Sequence, residues 1–172
     1  PSRQGGATQP PRSQDTVFGA APEAAAPAPA RGAALQLELL NGNLAFVGEP
    51  LLLGHYRSTE LTGTEAVVDR LLGGSMSAAL AAGIYPEERA AHRAFVNAWR
   101  DPVNPWALPR PLAAVVLGLG DEGTLRESDL AAGVCQAVLG WAQRLAEERT
   151  RSAASTALAA TLLGSGGLGI SA

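Results

Sequence analysis

The chain has 172 residues, room for one domain of ordinary size and not comfortably for two. Thirteen basic against sixteen acidic residues leave a net charge of −3, which speaks against a non-specific nucleic-acid binder with its usual basic stripe. One cysteine, Cys135, excludes an internal disulfide framework or a Cys-rich metal site, and two histidines, His55 and His92, leave little for a His-based metal centre or a triad.

Hydrophobic residues make up 47% of the chain, enough for a packed core, although aromatics are only 5%. No apolar run reaches the ~18 residues of a membrane span, and the opening PSRQGG is not a signal peptide. The expectation is a soluble, cytoplasmic protein without membrane, nucleic-acid or cofactor partners. The missing initiator Met suggests a piece of a longer chain.

Residues 1–32 scatter six prolines among Ala, Gly, Ser and Gln, with Val17 and Phe18 as the only large apolar side chains. Such a segment buries too little apolar surface to offset its ordering entropy, and a disordered linker is expected there. A folded domain is expected over 33–172. Leu35, Leu37 and Leu39 alternate with Gln36 and Glu38, the period of a strand. Asn41-Gly42-Asn43 supplies turn chemistry before a second extended run at 44–47, so a hairpin is expected. The segment 51–56 reads as a buried strand running into a loop.

A helix is expected over 62–72, with Thr62 as its cap and Glu65 as the reciprocal partner of a capping box. A second helix over 75–82 follows a Gly73-Gly74 stop, and 87–100 contains a further helix or strand. Four prolines between 101 and 111 mark a loop, around which Tyr85, Trp99 and Trp106 gather; one tryptophan is expected to be a buried staple. The run 112–119 (LAAVVLGL) has the signature of a strand covered on both faces. A long helix, capped by Ser128 or Thr124, is expected to reach about residue 149, with Cys135 buried near its apolar face. Residues 153–163 are apolar and Ala-rich, a short helix or strand. Strands alternating with helices give an α/β layered domain with a mixed sheet.

Two glycine loops are the candidate ligand-binding residues. Gly118, Gly120 and Asp121 lie at the carboxyl end of the expected central strand, where open α/β sheets bind ligands. Gly164, Ser165, Gly166, Gly167, Leu168 and Gly169 form a glycine-rich turn whose backbone N–H groups could cradle phosphate, although it lacks the lysine of a Walker A loop. His55 with Tyr56 and Arg57 follows a strand and could form a polar cluster, yet no serine or cysteine pairs with it by spacing. No catalytic residue and no metal ligand is expected.

The segments Val68-Asp69-Arg70-Leu71-Leu72-Gly73-Gly74, then Val116-Leu117-Gly118-Leu119-Gly120, then Leu130-Ala131-Ala132-Gly133 resemble the N-terminal domain of leucine aminopeptidases. The resemblance covers roughly residues 44–148 and implies a macro-like, three-layer α/β/α sandwich. The peptidase's dinuclear metal site lies in a further domain, so no catalytic residue carries over, and the usual glycine-and-lysine segment is replaced by Gly83-Ile84-Tyr85-Pro86. Together with Gly54-His55-Tyr56-Arg57, these segments also look like a module found beside caspase-like (CHAT-type) protease domains in large bacterial effector and defence proteins. That resemblance implies an accessory role through contact with a neighbouring effector domain or another subunit. The likeness of Gly166-Gly167-Leu168-Gly169 to the diphosphate loop of macro domains implies the alternative, a nucleotide or ADP-ribose ligand.

Overall fold

A computed structural model describes residues 35–147 and 157–165. The chain divides into two units, Pro1–Leu40 and Asn41–Ala172. Within the first, residues 35–40 take no regular structure and Leu35, Leu37, Leu39 and Leu40 are all exposed. The expected strand is therefore not formed there. Its hairpin partner is also absent, since Leu44–Phe46 is a single 3₁₀ turn with the Asn43 side chain accepting from the Ala45 N–H.

The second unit is α/β. Its elements run β1 (Leu51–Tyr56), α1 (Gly63–Leu71), α2 (Ser75–Ala81), β2 (His92–Val96), β3 (Ala113–Gly120), α3 (Glu127–Glu147) and β4 (Ala159–Ala160). The sheet is mixed, in the order β2-β3-β1-β4. β1 runs parallel to β3 and to β4, while β2 runs antiparallel to β3. β3 is buried along its whole length, as its unbroken apolar run requires of a strand covered on both sides.

Side chains alternate across the sheet and build a core on each face. Leu51 and Leu53 of β1 and Ala114 and Val116 of β3 pack with Val68, Leu72, Met76 and Ala79 from α1, α2 and their junction. Leu52, Val115, Leu117 and Leu119 point the other way and meet Ala137 and Trp141 of α3. Helices thus cover both faces, giving three layers. Gly133 sets the spacing on the α3 side, where a Cβ would sit 3.0 Å from Leu117, while a Cβ on Gly140 would sit 2.5 Å from the exposed His92 ring.

Two turns resolve differently from their sequence expectations. Thr62 occupies the N-cap position of α1 but its side chain makes no capping bond, and Glu65 turns to His55 and Tyr85 instead of back to the cap. Asp69, which reads as a solvated helix residue, instead accepts from the Met76 and Ser77 N–H groups at 2.8 and 3.1 Å and caps α2. Cys135 is exposed on α3 rather than buried. Among the described residues no helix is long and apolar enough to cross a membrane.

Candidate functional site

β1 and β3 lie side by side, yet the chain leaves β1 for helices on one face and leaves β3 for α3 on the other. Their carboxyl ends therefore define a topological switch point, the crevice where open α/β sheets take ligands. β4 runs parallel to β1, so Gly164 and Ser165 lie toward the same edge of the sheet. Gly164 has φ +73° and Ser165 Oγ donates to the Leu162 carbonyl at 2.9 Å. Gly166, Gly167, Leu168 and Gly169 lie outside the described residues, as do the expected linker at 1–32 and residues 153–156.

At the switch point, the crevice is occupied by the protein itself. The ladder of β1 and β3 shifts register between His55 and Tyr56, so that His55 pairs with Gly118 and Tyr56 with Gly120. Gly118 donates to the Ala91 carbonyl at 2.8 Å and accepts from the Ala90 N–H at 3.2 Å. A Cβ at Gly118 would collide with the backbone carbonyl oxygens of Glu88 and Pro86. The glycine is there because residues 86–91 cross the strand end in backbone contact. Gly120, at φ +74°, receives the Arg89 side chain and accepts from the Arg57 N–H at 2.9 Å.

Arg57 spans the mouth. Its guanidinium donates to Asp121 Oδ1 at 2.9 Å and to Glu88 Oε1 at 2.6 Å, joining the loops after β1, before β2 and after β3. All three side chains are largely exposed, so the pairs fix loop geometry more than they add stability. Asp121 is thus an ion-pair partner of Arg57, and its carbonyl accepts from Thr124 Oγ1 at 2.6 Å. Beside it, Arg89 and residues 123–127 line an open cleft of about 470 Å³. The Tyr56 hydroxyl is buried without a hydrogen-bond partner among the described residues. Burial, and then the negative charge of Glu122, push it above the ordinary tyrosine range.

Beneath the crevice lies a polar cluster that spacing alone did not reveal. His55 is 1% exposed and its Nδ1 lies 3.0 Å from Glu65 Oε2. Glu65 Oε1 accepts from the Tyr85 hydroxyl at 2.9 Å. The His55 and Tyr85 rings meet edge to face at 4.7 Å, and Tyr85 stacks on toward Phe95 at 5.6 Å. The carboxylate thus ties β1 to α1 and to the chain beyond α2. Burial, followed by the charge and hydrogen bond of Glu65, drives the Tyr85 hydroxyl far above its usual range. His55 Nε2 is buried without a partner among the described residues, so the cluster is enclosed on its reactive side. It is an anchor, and the cleft at Arg89 and residues 123–127 is not lined by His55.

The remaining candidate surface is the loop between β2 and β3. Asn97, buried at its base, donates from Nδ2 to the Pro111 carbonyl at 2.9 Å and to the Leu71 carbonyl at 3.2 Å. Its Oδ1 accepts from the Trp99 N–H at 3.1 Å, and its N–H donates to the Leu112 carbonyl at 2.9 Å. One amide therefore clamps both ends of 98–111. Beyond the clamp, Trp106 is 92% and Val103 91% exposed, with Leu108 and Trp99 also open to solvent. Tyr85 is the buried aromatic of this region, while neither Trp99 nor Trp106 is a buried staple. Among the described residues no three His, Cys, Asp or Glu side chains are grouped to hold a metal ion. Compared with known proteins, the chain matches no protein-family model and no curated sequence.

Proposed function

We propose that this chain is a non-catalytic recognition module that works through protein contacts, as an accessory part of a larger bacterial protease or defence effector. The observation that carries this reading is the clamped loop 98–111, which holds Trp106, Val103 and Leu108 in solvent on a fixed neck. Large apolar side chains grouped on one loop cost solubility, and a partner surface is the ordinary reason for them. The effector setting rests on the resemblance of Gly54-His55-Tyr56-Arg57 and the segments after it to modules beside caspase-like proteases.

Hydrogen–deuterium exchange on the isolated chain and on the polypeptide encoded by its whole reading frame tests this. Protection of 98–111 in the longer protein is the expected result. Equal exchange in both, or a reading frame that adds no effector domain, overturns it.

A nucleotide or ADP-ribose ligand is the second reading, supported by the position of Gly120, Asp121 and Gly164 at the carboxyl edge of a switch point. A phosphate there would have to displace Glu88 or Asp121 from Arg57. Titration calorimetry with millimolar ADP-ribose and NAD separates the two: heat accompanied by a thermal shift favours the nucleotide, and neither leaves the recognition module.

A further inference from the structure

A second surface lies along α1 and α2, bordered by the loop after β1 and by Glu87. A groove of about 510 Å³ runs there, floored by Leu61, Ala66, Leu80 and Ala81. Its rim carries Glu60, Asp69 and Glu87, and none of its nine lining residues is basic. Of the arginines close in sequence, Arg57 pairs with Glu88 and Asp121, Arg89 pairs with Asp129, and Arg93 donates to the Ile84 carbonyl with its guanidinium over the Phe95 ring, while Arg70 of α1 does not line the groove. Asp69 spends one oxygen, Oδ1, on the first turn of α2. Neither Glu60 nor Glu87 has an ion-pair partner among the described residues.

We propose that this groove docks a basic peptide segment of a partner protein, seating one aliphatic side chain on the floor between arginines or lysines that meet Glu60 and Glu87. An apolar floor selects against a free cation, and a rim of a single sign selects the charge of the occupant.

Selection of random dodecapeptides on the full 172-residue chain is the test, followed by titration of the labelled consensus peptide. Enriched sequences should carry net positive charge around a Leu, Ile or Phe. Binding of the consensus should weaken about five- to tenfold in the Glu60→Gln/Glu87→Gln protein and fall with added salt. The Trp106→Ser protein should bind that peptide unchanged, which keeps this site distinct from the loop. Acidic or neutral consensus sequences, no enrichment, or equal binding by the double variant each overturn the proposal. Concentration-dependent self-association abolished by the double variant would instead assign the groove to a second copy of this chain, and also overturns it.

Discussion

Gly118 and Gly140 show how one added methyl group can have opposite meanings in the same domain. At Gly118 the new Cβ meets backbone oxygens of Glu88 and Pro86, which cannot swing aside. Gly118→Ala should therefore lower stability by about 2–3 kcal/mol in urea unfolding. At Gly140 it meets the tip of the exposed His92 side chain, which can rotate away. The gain in helix propensity then offsets the crowding, and Gly140→Ala should stay within about 0.5 kcal/mol of the parent. The Glu65 carboxylate is the opposite case, a group whose loss strands others. Glu65→Ala leaves His55 Nδ1 and the Tyr85 hydroxyl buried without their acceptor and should cost about 2–4 kcal/mol. Tyr85 also sets an alkaline limit. Its neutral form is favoured in the fold, so its contribution is complete below pH 10 and is lost as pH rises and the unfolded chain ionises. Stability should fall by about 1.4 kcal/mol per pH unit above 10 from this one group, and Tyr85→Phe should remove that share of the slope.

Among the elements, β1, α1, α2, β3 and α3 were legible in the sequence because each carries its own pattern, apolar runs for the strands and amphipathic stretches for the helices. β2 was ambiguous. His92 to Val96 mixes charged and apolar residues because one end lies against α3 and the other on the core, so no single period dominates. The alternating leucines at 35–39 carry a clear strand period yet stand exposed, for a period specifies a strand only when a ladder is there to accept it. Of the site, the glycines at 118 and 120 and Asp121 were visible as a loop, but their partners were not. Arg57, Glu88 and Arg89 reach them only through the tertiary fold, and so does the His55–Glu65–Tyr85 cluster, whose members are ten and twenty residues apart. The clamp at Asn97 is likewise invisible to spacing. Asn97→Ala should leave the Pro111 and Leu71 carbonyls without their donor and loosen the loop. Native-state trypsin should then cut after Arg100 severalfold faster, while far-ultraviolet circular dichroism stays unchanged.

On the scale of the whole molecule, the sheet order β2-β3-β1-β4 keeps the first two strands apart: β1 and β2 never touch, and each depends on β3 between them. The strand that joins them enters the chain only at Ala113. A ribosome that has released everything up to that point presents Leu51, Leu52 and Leu53 with no neighbour to receive their backbone groups. Synthesis therefore carries a long stretch of unsatisfied, sticky polypeptide until the middle of the sheet emerges, and slow, non-local closure is the kinetic signature to expect. A chain ended at Pro111 should give a coil-like circular dichroism spectrum and bind a holdase chaperone, whereas one carried through α3 should not.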